Sequence, residues 1–198
     1  INNIQSKDDL WEYFSLSVKK GLSSPIYFAV YDDLKDPLNY TIYFGQSGLG
    51  LPDRDYYLLD QPHYIKGRDK YPLHLKNLFN LAGIKDADLK ASNAFDVEKE
   101  LAEIQISRTE RRDPEKTYNP MNTKELSNLS DGKFSIWLEG LEIQYFNRYI
   151  IESPKYMSAL VKLIDEYPID KWKDYVLARL VKSASGSLSD DFVEESYR

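Results

Sequence analysis

The stretch 48–57, with the sequence GLGLPDRDYY, constrains the fold most, because it separates two different kinds of sequence. Before it, two runs of alternating apolar residues predict a β-hairpin over about residues 26–44. After it, from about residue 56, apolar residues recur at helical spacing. Two glycines that can take positive φ and a proline that fixes φ predict a built turn at this boundary. A phosphate-binding loop is the alternative, but G-x-G-x-x-G and Gly-Lys-Ser/Thr are both absent.

The hairpin is expected to have strands over about 25–33 and 40–44, joined by turn residues Asp36-Pro37-Leu38-Asn39. Two strands alone are marginally stable in water, so the hairpin must pack on helices. We expect it to be the only substantial sheet. An extended segment is predicted at 145–151 and a long irregular one at 111–122, which contains two prolines.

The remaining apolar periodicities predict helices bounded by capping residues, glycines and prolines. These helices are expected at about 6–21, 70–81, 86 or 92 to 108, 123–129, 134–141, 154–168, 170–183 and from 189 onward. The sequence therefore predicts a mainly α fold, a single multi-helix domain over residues 1–198 with one β-hairpin near the N-terminus.

Composition excludes several functional classes. The net charge of −6 is spread along the chain and argues against nucleic acid as a partner. No apolar run approaches the length of a membrane span. The absence of cysteine removes disulfides, thiolate metal sites and a cysteine nucleophile. The chain begins with Ile1 rather than Met, and we expect it to be a piece of a longer protein whose signal or anchor would lie upstream.

Candidate metal and nucleophile motifs are weak. His63 and His74 stand eleven residues apart, and no His-Glu-x-x-His is present, so surface or half-buried histidines are expected. The serine-rich run at 183–187 does not match Gly-x-Ser-x-Gly and indicates a helix end and a turn. The sixteen tyrosines could form a stacking surface for sugar or peptide, or half-buried core edges.

Charged residues also have ordinary explanations. Adjacent carboxylates are expected to be caps rather than the facing pair that a glycosidase needs; the pairs are Asp32/Asp33, Asp190/Asp191 and Glu194/Glu195. A cluster of arginines could hold an anion, but neighbouring acids suggest local ion pairs; the residues are Arg108, Arg111 and Arg112 with Glu110, Asp113 and Glu115. The residues alone therefore assign no catalytic, cofactor-binding or metal-binding site.

A succession of local motifs nevertheless marks a family. In order, it comprises Gly50-Leu51-Pro52-Asp53-Arg54-Asp55-Tyr56-Tyr57, a long helix with Glu98, Leu101 and Ala102, Arg112-Asp113, Tyr118-Asn119-Pro120-Met121, Trp137, Trp172-x-x-Tyr175-x-x-x-Arg179 and Ser189-Asp190-x-Phe192. This order resembles the N-terminal half of the neprilysin family of zinc metallopeptidases, which includes endothelin-converting enzyme and bacterial oligopeptidase O. The resemblance covers essentially the whole chain.

The resemblance implies a helical cap domain that faces a thermolysin-like zinc domain across a large cavity and limits substrates to peptides and small proteins. In that family the zinc ligands and the substrate-aligning Asn-Ala motif lie downstream, so zinc is expected in the complete enzyme with its ligands outside this chain. The family's carboxylate-reading arginine is expected upstream of Ile1, so neither Arg54 nor Arg112 is assigned that role. Lack of cysteine suggests a bacterial member, expected in the periplasm or cell envelope, with the cytoplasm as the alternative.

The predicted function is thus a cap-domain fragment, inactive by itself, of an enzyme that hydrolyses oligopeptides, with peptides and the catalytic domain as partners. A free-standing helical module that binds peptides or carbohydrates is the alternative; a hydrolase with paired carboxylates is a third. Arg54 and Asp55 are expected to tie the turn to a following helix through charge-assisted hydrogen bonds. Asn119 is expected to satisfy loop backbone groups and Pro120 to set the chain direction.

Overall fold

The computed structural model describes residues 1–197 and is mainly α, as predicted. The helices are α1 (Lys7–Lys19), α2 (Asp55–Leu58), α3 (Pro62–Leu81), α4 (Ala87–Ile104), α5 (Arg108–Arg111), α6 (Pro114–Thr117), α7 (Thr123–Leu129), α8 (Lys133–Gly140), α9 (Pro154–Glu166), α10 (Ile169–Ser185) and α11 (Asp190–Ser196). The strands are β1 (Ile26–Asp33), β2 (Asp36–Gln46), β3 (Asn119–Met121) and β4 (Tyr149–Ile151). Among residues 1–197, no helix is both long and apolar enough to cross a membrane.

The chain divides into two compact units, which we describe separately. The helical unit contains Ile1, Leu49–Glu103 and the residues from Glu166 onward, and so holds α2, α3, most of α4, α10 and α11. The sheet unit contains Asn2–Gly48 and Ile104–Asp165, and so holds the strands with α1 and α5 to α9, apart from the last residue of α9.

The sheet unit is built on four strands in the order β1-β2-β4-β3. β1 and β2 form the predicted antiparallel hairpin, β4 runs parallel to β2, and β3 is antiparallel to β4. All three residues of β4 are buried, so they form the centre of the sheet. The prediction of a lone hairpin was therefore too narrow, because short segments from distant parts of the chain extend it.

The predicted turn at 36–39 was wrong. The turn residues are Leu34 and Lys35, and Asp36 already pairs with Asp33 across the strands. The Asp33 carboxylate accepts a hydrogen bond from the Lys35 amide at 2.9 Å, which favours the turn one step earlier. The residues 36–39 instead continue β2 as an exposed strand end.

Aromatic side chains fill the core of the sheet unit. Trp11 of α1 meets Phe134 of α8 edge-on at 5.5 Å between ring centroids. Phe44 of β2 lies 4.8 Å from Trp137 and stacks on Tyr149 at 5.3 Å. These contacts join a helical layer to one face of the sheet, and each buries a large apolar area.

The core of the helical unit combines bulky and small side chains. The bulky residues belong to α3 and the small ones to α4 and α10; the buried members of this core are Tyr71, Leu75, Phe79, Ala87, Ala91, Ala94 and Ala178. Large and small side chains together fill a close-packed core of this kind.

Several predicted helix ends were misplaced. α4 ends at Ile104 rather than 108, because Ser107 begins the separate helix α5 with a capping box to Glu110. The segment predicted to be irregular at 111–122 contains α6, which Asp113 caps, followed by β3. α3 begins at Pro62 rather than 70, and Pro72 lies within it without ending it. α10 begins at Ile169, one residue before the predicted start, with Pro168 as its cap and Asp170 in its first turn.

Other termini match the sequence signals. Ser6 caps α1 with Asp9 in a capping box, and Gly21 follows the helix at φ 66°. α7 has the predicted bounds, and Ser189 is the N-cap of the last described helix. These signals are local, which explains why they could be read without the tertiary structure.

Candidate functional site

The family string at 50–57 folds around the hydroxyl of Tyr57, which is buried. This oxygen accepts hydrogen bonds from the amides of Gly50 at 3.1 Å and Leu51 at 3.0 Å. It donates in turn to Oε2 of Glu98 at 2.5 Å. The chain is thus bent back on itself by a side chain six or seven residues further on.

Glu98 is the centre of this arrangement, which we call the Glu98 centre; it comprises Gly50, Tyr57, Tyr71, Glu98 and Arg179. Glu98 lies on α4 with none of its surface exposed. The Gly50 amide donates to Oε2 at 2.9 Å, the Tyr71 hydroxyl donates to Oε1 at 3.0 Å, and the Arg179 guanidinium lies 3.7 Å from Oε1. One carboxylate therefore joins the turn to α3, α4 and α10.

The electrostatics of the Glu98 centre favour a fixed arrangement. Burial raises the pKa of Glu98, while the Arg179 guanidinium and the hydroxyl and amide donors oppose that rise. Burial, and next the charge of Glu98, raise the pKa of Tyr57 and Tyr71 well above the ordinary value. Both hydroxyls therefore stay protonated at neutral pH and remain donors.

Steric fit at Gly50 makes the arrangement specific for glycine. A Cβ atom placed on Gly50 would stand 1.6 Å from the Tyr71 hydroxyl oxygen and 2.8 Å from Oε2 of Glu98. Because the carboxylate has no exposed surface, it cannot meet a substrate. The Glu98 centre therefore joins structural elements and supplies no reacting group.

The predicted tie through Arg54 is present. Its Nε donates to the carbonyl oxygen of Ala102 at 3.2 Å, near the C-terminal end of α4, where a cation is favoured. At Asp55 the structure gives a different contact, since the Asp55 amide donates to the Asp53 carboxylate at 2.9 Å.

A second buried carboxylate, Asp33, organises the sheet unit. The Tyr118 hydroxyl donates to it at 2.6 Å, and Nε and a terminal nitrogen of Arg148 donate at 3.1 and 2.8 Å. Chiefly the Tyr118 hydrogen bond, assisted by Lys35 and Arg148, lowers the pKa of Asp33 to about 2. Asn119 follows Tyr118 in the sequence. Its side-chain amide donates to the carbonyl oxygens of Lys116 at 2.8 Å and Ile151 at 2.9 Å, as predicted for a residue that satisfies loop backbone groups.

The two histidines are not placed for a shared metal site. Nδ1 of His74 lies 3.0 Å from the Glu195 carboxylate, and burial lowers the pKa of the imidazole. The His63 ring packs on Tyr64, with 3.8 Å between centroids. Within residues 1–197, no group of three or more His, Cys, Asp or Glu side chains could hold a metal ion. The described residues therefore do not fit a zinc site.

The remaining charged candidates take part in an ion pair or stand at helix starts. A terminal nitrogen of Arg111 lies 3.8 Å from Oε2 of Glu152. The sequence had suggested that the neighbouring acids would be its partners. Glu110 completes the capping box of Ser107 at the start of α5, and Asp113 caps α6. Asp190 and Asp191 stand in the first turn of α11, where the helix dipole favours acids.

An open apolar cavity of about 370 Å³ lies on the sheet unit. Its wall is mostly aromatic and aliphatic, with Arg148 at one side; the lining residues are Phe28, Val30, Tyr40, Thr41, Ile42, Ile143, Phe146, Asn147 and Arg148. Tyr40 is 76% exposed, so part of the tyrosine set does reach the surface.

The burial of Glu98 was not predicted from the sequence. Ala94 lies four residues before it and Ala102 four after it, and both are buried. A residue at i and i+4 from buried neighbours shares their face. That spacing was the available signal for a buried acid.

Comparison with known proteins decides the family. A model described as peptidase family M13 matches residues 1–198, the whole sequence. The chain belongs to peptidase family M13. This M13 chain is 28% identical over 197 residues to endothelin-converting enzyme 1 of Bos taurus and 27% identical over 198 residues to that of Homo sapiens. Both matches cover 94% of this chain, but 26% and 25% of the relatives.

Solved structures show the same fold. The zinc metalloprotease Zmp1 of Mycobacterium tuberculosis, in complex with an inhibitor, matches with a TM-score of 0.91 and 22% identity over 99% of this chain and 30% of that one. PepO from Lactobacillus rhamnosis matches with a TM-score of 0.80 and 17% identity over 98% of this chain and 31% of that one. The predicted resemblance is confirmed, and this M13 chain spans about a quarter of the length of those two curated relatives.

Proposed function

We propose that this chain is part of the N-terminal helical cap of a zinc metalloendopeptidase that hydrolyses peptide bonds in oligopeptides. The observation that carries the proposal is the M13 match over every residue of the chain. The cap restricts access to the substrate cavity and lines part of it, and the family string serves its architecture through the Glu98 centre. Zinc is supplied by ligands outside the chain, since the described residues do not fit a zinc site.

Peptide cleavage by the complete gene product tests this function. We expect the complete protein to cleave a quenched fluorescent oligopeptide, to lose that activity on treatment with a zinc chelator, and to regain it when zinc is restored. The 198-residue chain alone should leave the peptide intact at the same concentration. Chelator-sensitive cleavage by the chain alone, or no cleavage by the complete protein, would contradict the proposal.

A free-standing binding module remains the alternative, and the apolar cavity on the sheet unit is the observation that favours it. Such a module would bind peptide or sugar with no catalytic partner. A Tyr40→Ala variant separates the two functions. Loss of saturable ligand binding, combined with no peptidase activity in the complete gene product, would favour the module.

A further inference from the structure

A second cavity, of about 500 Å³, opens between α10 and α11 of the helical unit. Its wall is rich in basic and hydroxyl groups; the lining residues are Arg179, Lys182, Ser183, Ser185, Gly186, Val193, Ser196 and Tyr197. No carboxylate is among these residues. We call it the α10–α11 cavity. The proposed peptidase function assigns it no role.

Lys182 is a half-buried cation in the wall of this cavity. Its ammonium lies over the face of the Tyr71 ring, 5.5 Å from the centroid. Among residues 1–197, no carboxylate lies within ion-pair distance of this ammonium. No acid pairs directly with this half-buried charge, although Glu98 interacts with it from a greater distance, and a bound anion would relieve the remaining cost of burying it.

Neighbouring charges increase the positive potential at Lys182. Arg179 lies one helical turn before it, and both side chains line the same cavity. Burial, and next the charge of Arg179, lower the pKa of Lys182, as expected when two cations share a partly buried region, while the charge of Glu98 opposes that shift.

The nearby acids face other partners. Glu98 is buried and accepts hydrogen bonds from within its centre, including one from the Gly50 amide. Glu195 accepts hydrogen bonds from His74 and Asn77. The C-terminal end of α10 adds about half a negative charge, which is less than the charge of either cation. The region therefore keeps an excess of positive charge on the side that faces the cavity.

We propose that the α10–α11 cavity binds an oxyanion, either a carboxylate or a phosphate, between Lys182 and Arg179. The hydroxyls of Ser185 and Ser196 lie beside this position and are hydrogen-bonded to each other at 2.8 Å. A cavity of this volume has room for an anion with its water, or for the charged end of a larger molecule.

Binding of inorganic phosphate and of acetate to the 198-residue chain tests the proposal. The titration is followed by amide NMR shifts at constant ionic strength. We expect at least one anion to give saturable shifts at the residues that line the cavity. A peptide with a free C-terminal carboxylate is then compared with its amide. Tighter binding of phosphate identifies a phosphate ligand, and binding of the free acid but not the amide identifies a carboxylate.

Two charge variants on the same helix make the test specific. Lys182→Met keeps the apolar stem and should weaken anion binding about tenfold or more, because it removes a charge-assisted contact. Lys173→Met removes the same charge from a lysine that pairs with Asp170 at 3.6 Å, and should bind as the parent does. Thermal unfolding of each variant confirms that it is folded. No saturable shift for either anion, or equal binding by the Lys182→Met variant, would overturn the proposal.

Discussion

The carboxylate of Glu98 accepts a hydrogen bond from the backbone amide of Gly50 at 2.9 Å, and this contact fixes the turn at 50–57 to the middle of α4. The same oxygen accepts from Tyr57, and the second oxygen from Tyr71. Glu98→Gln keeps the shape but places an amide nitrogen against these donors. We expect a loss of about 2–4 kcal/mol in the free energy of unfolding, measured with urea.

The matched control is Glu103→Gln, which changes an exposed acid on the same helix. This variant should unfold within about 0.5 kcal/mol of the parent. Equal stability of the two variants would show that the Glu98 centre contributes nothing to the fold.

Gly50 has no room for a side chain, because a Cβ atom would lie 1.6 Å from the Tyr71 hydroxyl. Gly50→Ala should therefore destabilise the protein by about 2–3 kcal/mol through overpacking. The comparison is Gly186→Ala, where a Cβ atom meets nothing within 4 Å and φ is −69°. Denaturant midpoints of the two variants measure the difference, and a Gly50→Ala midpoint at or above that of Gly186→Ala would refute the steric argument.

The hydrogen bond from Arg54 to the Ala102 carbonyl ties the turn to the end of α4. Arg54→Ala should lower the free energy of unfolding by about 1 kcal/mol, the usual net value of one hydrogen bond. Lys70→Ala, at an exposed position of α3, controls for the loss of a positive charge. Melting temperatures provide the measurement, and an unchanged melting temperature for Arg54→Ala would contradict the tie.

Asp33 makes stability depend on acidic pH. Its pKa in the folded protein is about 2, below the ordinary value of about 3.9 for an unfolded chain. The folded state therefore favours the ionised form, and the stability that Asp33 contributes is present above about pH 4 and lost as the pH falls toward 2.

Asp33→Asn should be less stable than the parent at pH 6, and the gap between the two should narrow as the pH is lowered through this range. Asp32→Asn changes the exposed neighbour and should show no such narrowing. Urea unfolding at several pH values gives both series. A gap that stays constant with pH would mean that Asp33 is not the titrating group.

Local signals predicted a large part of the fold. Ser6 and Ser189 stand at the N-caps of their helices, and Ser6 forms a capping box with Asp9, because capping signals lie within a few residues of the helix start. The hairpin was also readable, although its turn was misplaced by the strong turn composition of residues 36–39.

Long-range pairing was not readable. The β3–β4 ladder pairs Asn119 with Ile151. Neither three-residue strand contains a sequence signal that identifies its partner strand. For the same reason the burial of Glu98 was not predicted, since its donors come from residues 50, 57 and 71. Before the structure, only the family resemblance related these distant segments to one another.

We propose that this M13 chain belongs to a cap that admits peptides and excludes folded proteins. The test compares two substrates of the complete gene product that contain the same target sequence. In one the sequence is a free oligopeptide, and in the other it lies within a stably folded domain. We expect chelator-sensitive cleavage of the free peptide and no cleavage of the folded domain. Cleavage of both at the same rate would contradict this proposal.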